Sequence, residues 1–245
     1  MNLGIVGTGL IGASIGQRAR QSGMHVAGFD VGPAAKEALE REAIDEIVTR
    51  ERLYATCDSV VIAAPVEATC AELESLRGTA GAWKLLIDVA SVKRPTVQAG
   101  KGVPNFVATH PLAGNEGSGP SCASADLFEG RTWAYVPSGN ERRDARFQDF
   151  VRAFGAHPHA IDATRHDEIV ALTSHLPQLL ASLLAPRIRE GGREAEMLCG
   201  PAGREILRLG ESNPALWREI FAANADRIAL EATTLIALLR RFGGR

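Results

Sequence analysis

The sequence predicts an α/β fold in which a doubly wound parallel sheet is followed by a smaller all-helical domain. Three observations carry that expectation. Through residues 1–161, strand-like runs alternate with helical patterns, the order that builds a parallel sheet with helices on both faces. The runs themselves, such as SVVIA from Ser59 to Ala63, are almost continuous in apolar residues, as strands buried on both sides read. Across residues 162–245 such runs cease and long helical periodicity takes over, from Thr164 to about Glu190 and from Pro214 to about Phe242.

The elements follow in order. Asn2 to Val6 is the first strand, and it runs into the glycine turn Gly7-x-Gly9-x-x-Gly12 and a helix ending near Gly23. Gly7 is expected to make the tight turn, Gly9 to let backbone approach a pyrophosphate, and Gly12 to let the helix lie close on the strand. Leu10 and Ile11 open the helix, whose amino terminus attracts an anion, so they join the three glycines as cofactor-binding candidates. His25 to Phe29 is the second strand and ends on Asp30, where a carboxylate accepts hydrogen bonds from both adenosine ribose hydroxyls and repels a 2′-phosphate. Strand, glycine turn, helix, strand and terminal acid together form a Rossmann-type signature. NAD is the expected cofactor, with NADP as the alternative, and Arg18 and Arg20 on the first helix read as a solvated face. Further strands are expected at Ser59 to Ala63, Lys84 to Asp88, Asn105 to Thr109 and Thr132 to Val136. Helices are expected from Val66 to Arg77, after Ser91, and from Glu141 to Gly155.

Composition narrows the function. With 245 residues and 45% hydrophobic content, the chain can build one large core or two small ones, here a dinucleotide-binding domain of residues 1–161 and a helical substrate and dimerisation domain of residues 162–245. A net charge of -2 with no basic run gives no footprint for nucleic acid. No signal peptide precedes the first strand and no apolar run approaches a membrane span, so a soluble, cytoplasmic protein is expected. The four cysteines are scattered and read as reduced thiols, and His157 and His159 flank Pro158 in a short extended stretch too sparse for a metal site. The late helices are dense in apolar residues for so small a unit, which suggests a homodimer; burial against the first domain is the alternative.

The most informative stretch is HPLAGNEGSG, from His110 to Gly119, after the strand-like FVAT. It places an imidazole at a strand's carboxyl end, where ligands bind in open α/β sheets. A neutral imidazole with a pKa of about 6.5 can accept a proton near neutral pH. Ser91, before a short helix, reads as that helix's N-cap.

HPLAGNEGSG, DVASVK at Asp88 to Lys93, SHLPQ at Ser174 to Gln178 and the late GREILRLGESNPALW occur in the order in which the chain resembles the prephenate and arogenate dehydrogenases, over nearly its whole length. The resemblance implies an oxidative decarboxylation in tyrosine biosynthesis: a hydride leaves the hydroxyl-bearing ring carbon for NAD(P), and carbon dioxide leaves from across the ring. It makes His110 the catalytic base and Ser91 the residue that orients it. It gives His175 a part in holding an acidic substrate and Arg208 a substrate carboxylate, for which a planar guanidinium is suited. Asn115 and Glu116 lie in the loop that closes over the substrate. There the chain departs from the family's HPMAGTEKSG pattern at Asn115 and Gly117, while Glu116 is kept. Glu205 is in a position to pair with the ammonium of arogenate, with Arg208 or with Arg204.

Tyrosine, which shares arogenate's side chain, is expected to compete at the active site, because the ends of the chain leave no room for a fused chorismate mutase or a regulatory domain. The rival functions are another NAD(P)-dependent hydroxyacid dehydrogenase, which would more often use a lysine on the helical domain, and a non-catalytic NAD-binding metabolite sensor.

Overall fold

The computed structural model describes residues 2–115 and 117–243 and divides into two compact units, Met1–Thr164 and Arg165–Arg245. In the first unit, β1 (Asn2–Val6), β2 (His25–Phe29), β3 (Glu46–Ile47), β4 (Ser59–Ile62), β5 (Leu85–Asp88) and β6 (Phe106–Val107) form one sheet in the order β3-β2-β1-β4-β5-β6. Every pairing in it is parallel. Ile5 lies between Gly28 and Val61 in register, and Leu3 and Ile5 are fully buried, which is why the strands read as continuous apolar runs. The connecting helices are α1 (Leu10–Gln21), α2 (Ala34–Glu40), α3 (Arg50–Thr56), α4 (Val66–Ser75) and α5 (Arg94–Ala99). The elements α2, β3 and α3 go beyond the sequence expectation; a two-residue strand between one-turn to two-turn helices carries no periodicity to detect.

The chain then leaves the parallel sheet. β7 (Thr109–Pro111), β8 (Thr132–Tyr135) and β9 (His157–Ala160) form a second, three-stranded sheet, with α6 (Glu141–Ala153) between β8 and β9. β7 runs antiparallel to β8, and β9 runs parallel to it. The strand expected over 132–136 therefore belongs to a separate sheet, and the His-Pro-His stretch is an edge strand, where a proline costs no ladder bond. Trp133 anchors this layer, its ring 5.0 Å from Phe128 and 6.3 to 6.4 Å from Phe147, Phe150 and Phe154.

The second unit is helical: α7 (Ala163–Val170, its first two residues in the first unit), α8 (Leu176–Glu190), α9 (Gly192–Met197), α10 (Pro201–Leu209), α11 (Pro214–Ala223) and α12 (Ala225–Gly243). The helix expected from Thr164 to about Glu190 is present as one run, Ala163–Glu190, whereas the one expected from Pro214 to about Phe242 is broken at a single residue. A π turn at Ala171–His175 joins α7 to α8 within that run, and Asn224 separates α11 from α12. Gln178 donates from Nε2 to the Leu209 carbonyl at 2.8 Å, fastening α10 to α8. Residues 163–190 are, against expectation, long and apolar enough by length and composition to cross a membrane; within the unit, their Ala181 and Ala185 are buried.

Candidate active site

The first half of the site is the turn between β1 and α1. Gly7 has φ +89°, and a Cβ there would lie 2.4 Å from the Ala63 carbonyl oxygen after β4. At Gly12 a Cβ would fall 2.0 Å from the Gly7 oxygen, whereas at Gly9 it would meet nothing within 4 Å. Turn, close packing and an open approach are thus divided among the three glycines. Gly9 is the N-cap of α1 and has no side chain to occupy the N–H groups of the first turn, which Leu10 and Ile11 begin. This turn sits where the strand order reverses, with β2 on one side of β1 and β4 on the other. Asp30 is fixed beside it: Oδ2 accepts from the Thr8 N–H at 2.8 Å and hydroxyl at 3.3 Å, and Oδ1 from the Gly32 N–H at 2.9 Å. Arg18 pairs with Asp126 and Glu129, and Arg20 with Asp45 at 2.8 Å, so both arginines answer acids of the fold.

His110 is half-buried in β7, opposite Ala134 and just beyond the end of β6. Its position follows from a buried polar cluster at the neighbouring Thr109. Asp88, at the end of β5, accepts from the Thr109 N–H at 2.9 Å and from the Ala90 N–H at 3.2 Å. Lys93 donates to Asp88 and to the Thr109 carbonyl, and the Thr109 hydroxyl donates to the Asp88 carbonyl while accepting from Trp133 Nε1 at 2.9 Å. Asp88, Lys93 and Thr109 are all fully buried. A buried ion pair holds together only when hydrogen bonds satisfy its remaining donors and acceptors, and here the backbone of Thr109 supplies them. Thr109 is pinned through both its N–H and its C=O, and His110 is next in the chain. Asp88 and Lys93 fall inside the DVASVK motif, where an acid and a lysine five residues apart at a strand end are the local signal for this pair.

The other expectations for this unit fare differently. Ser91 is not an N-cap: α5 starts at Arg94 after Lys93, with Pro95 fixing its first turn. Among the described residues, no hydrogen bond joins Ser91 to His110. Asn115 turns its side chain onto its own loop, Oδ1 accepting from the Gly117 N–H at 2.9 Å and Nδ2 donating to the Cys122 carbonyl at 3.3 Å. A Cβ on Gly117 would lie 2.4 Å from Cys122 Sγ, so the two departures from the family pattern belong to one local packing arrangement. Glu116 lies outside the described residues.

In the second unit, His175 closes the π turn and is 1% exposed. Its Nδ1 is 3.1 Å from Asn224 Nδ2, its ring meets Trp217 edge-on at 6.2 Å, and its buried Nε2 has no partner among the described residues. Burial pushes its pKa down to about 4, Asp167 opposing the shift and His166 adding to it, so the ring is neutral at pH 7. Arg208 grips Glu205 with two hydrogen bonds, 2.9 Å from Nε and 2.5 Å from Nη2, which hold the Glu205 carboxyl below its ordinary range. Arg204 instead donates to the Cys199 carbonyl at 3.1 Å. Of the three pairings open to Glu205, the structure shows the one with Arg208.

The sequence matches the family model for the prephenate dehydrogenase nucleotide-binding domain over residues 15–158 and that for the prephenate dehydrogenase dimerization domain over residues 162–241. The chain belongs to the prephenate dehydrogenase family. It is 35% identical to a probable prephenate dehydrogenase of Streptomyces niveus, over 96% of this chain and 68% of that one. Its fold is that of a prephenate dehydrogenase from A. aeolicus solved with hydroxyphenyl propionate and NAD+, at TM-score 0.87 and 24% identity over 98% of this chain and 88% of that one. A Synechocystis arogenate dehydrogenase is similar at TM-score 0.77 and 25% identity, covering 98% of this chain and 90% of that one. The Rossmann-type sheet with a helical domain after it is thus the family's architecture. The chain is by class an NAD(P)-dependent cyclohexadienyl dehydrogenase, an enzyme of oxidative decarboxylation in tyrosine biosynthesis.

Proposed function

We propose that the protein oxidatively decarboxylates prephenate, arogenate or both with NAD as acceptor, using His110 as the base. The observation that carries this reading is the buried Asp88–Lys93–Thr109 cluster, which holds His110 just past the carboxyl end of the sheet that bears the glycine turn. NAD, when bound, supplies the hydride acceptor; the open face of Gly9 and the carboxylate of Asp30 suit its pyrophosphate and ribose. His110 takes the proton of the ring hydroxyl as its carbon loses hydride and a carbonyl forms. The bond to the ring carboxylate then breaks, its electron pair completes the aromatic ring, and the proton returns to the oxygen. The Asp88–Lys93–Thr109 cluster orients the base, while Arg208 and His175 hold substrate oxygens. Loss of the carboxylate to give an aromatic ring supplies most of the driving force, so the protein's work is positioning and polarising.

The preference for NAD over NADP rests on Asp30 and on Arg18 and Arg20 being engaged by acids. A homodimer through the helical unit is supported by the matched dimerization-domain model and by exposed apolar side chains such as Leu198 at 81% and Phe242 at 80%. Tyrosine fits as a competitor because it keeps arogenate's side chain, and a biosynthetic role places the protein in the cytoplasm. A hydroxyacid dehydrogenase that works through a lysine on its helical domain is disfavoured, since no lysine follows Lys101.

The deciding experiment measures NADH and NADPH formation with prephenate and with arogenate, for the wild type and for His110→Asn. The expectation is turnover of at least one substrate with NAD, and a loss of about 10²–10⁴-fold in the variant with NAD binding retained. Absence of turnover in all four combinations would sink the functional reading, and near-normal turnover in His110→Asn would remove that residue from the mechanism.

A further inference from the structure

We infer that Asn224 is a positioning residue that locks His175 in the tautomer protonated on Nε2, so that the ring meets the substrate as a neutral hydrogen-bond donor. The inference rests on the reading of His175 as a substrate-holding residue. Its structural half stands on hydrogen-bond geometry alone.

Asn224 is fully buried between α11 and α12. Its Nδ2 lies 2.8 Å from the backbone carbonyl oxygen of Asp167. A carbonyl only accepts, so the amide must present its NH2 there and its orientation is decided. The same NH2 is 3.1 Å from His175 Nδ1 and offers only protons. Nδ1 must therefore expose its lone pair, and a neutral imidazole with no proton on Nδ1 carries it on Nε2.

The surroundings agree. The charged and titratable groups facing the ring are Asp167 and His166 on α7, and the Asp167 carboxylate is itself paired with His166 Nδ1 at 2.8 Å. Trp217 on α11 adds an uncharged ring in a T-shaped contact. Burial keeps the ring neutral, so its polarity does not switch near pH 7. What is left is a buried Nε2–H without a partner among the described residues, a cost that an arriving acceptor removes. The group it takes is an acceptor oxygen of the substrate, a carboxylate being the strongest. An ammonium in that place would find no acceptor.

The π turn at Ala171–His175 and the helix break at Asn224 meet at this contact. An asparagine whose side chain is committed to buried partners competes with regular helix, and π turns recur at functional sites. One hydrogen-bond cluster thus joins the π turn to the helix break.

The test is a long-range proton–nitrogen correlation spectrum of the full chain labelled with ¹⁵N-histidine at pH 7, with the His175 signals assigned by their loss in His175→Gln. The expected pattern has Nε2 protonated and Nδ1 bare; a protonated Nδ1 in the wild type overturns the inference. In Asn224→Asp the ring should gain its proton on Nδ1, with KM raised about tenfold or more and kcat changed less. A reversed tautomer with an unchanged KM would overturn the donor role. If that variant does not fold, the wild-type spectrum still decides the tautomer. If the wild type turns over neither substrate, the functional reading fails while the tautomer result stands.

Discussion

The groups that touch the surroundings of the two histidines differ in charge. Beside His110 lies a full ion pair, Asp88 with Lys93, at zero exposure; beside His175 lies a neutral amide, Asn224. The difference matches the tasks proposed for the two rings. A base must stay accessible to protonation, so the charges that fix it are spent on the neighbouring Thr109 backbone. A donor of fixed tautomer needs a neighbour that offers protons to Nδ1 and carries no charge, which the Asn224 amide does. The lesson is that a histidine's role is written in the group that holds it.

The largest expected effect breaks the charged cluster. Lys93→Met leaves Asp88 buried without its countercharge, and removing one partner of a buried pair costs about 3–5 kcal/mol. Chemical denaturation should show a loss of that size, and Lys93→Met combined with Asp88→Asn should recover much of it, because the amide oxygen still accepts from the Thr109 N–H. No recovery in the double variant would show that packing around the lysine stem, and not the unpaired charge, decides stability at this site.

The middle effect belongs to the neutral cluster and has a defined sign. His175 has a pKa of about 4 in the folded chain against 6.5 as its ordinary value. Between these values the unfolded chain binds a proton that the folded chain cannot, so stability falls as pH drops from 6.5 to 4 and is unaffected by this group above 6.5. The loss across the window is on the order of 3 kcal/mol. His175→Gln should flatten the dependence of Tm on pH in that window. Equal slopes in wild type and variant would mean that His175 titrates normally.

The same contrast explains what could be read before the structure. The glycine turn, Asp30 and the motif around His110 are local in sequence, because backbone conformation and strand ends dictate the residue types there. The partners that give the histidines their roles are not local. Lys93 reaches Thr109 across 16 residues and Asn224 reaches His175 across 49, and nothing in composition or spacing announces either contact. The unbroken helix expected over 214–242 was wrong for that reason: Asn224 interrupts it while making a tertiary hydrogen bond, which helical periodicity cannot register, and the π turn inside the helix over 163–190 is equally silent in the sequence. The second sheet was missed similarly, since Thr132–Tyr135 reads as a strand whichever sheet it joins.

The smallest effect lies on the surface. Arg208 and Glu205 are 44% and 56% exposed, and solvent screens such a pair so that it contributes little to stability. The sequence left open whether Glu205 reads the arogenate ammonium; in the structure both of its oxygens are taken up by Arg208. On the proposed reading, a carboxylate so engaged would act on the substrate through the arginine, whose guanidinium it holds. Glu205→Gln keeps one acceptor for Arg208 and removes the charge, so kcat/KM should fall only a few-fold, about threefold by the size of exposed pairs. Prephenate and arogenate both carry the carboxylates that Arg208 is proposed to hold, so the two losses should be equal. A loss confined to arogenate, with prephenate unchanged or improved, would return Glu205 to direct recognition of the ammonium and make this pair the place where the protein tells the two substrates apart.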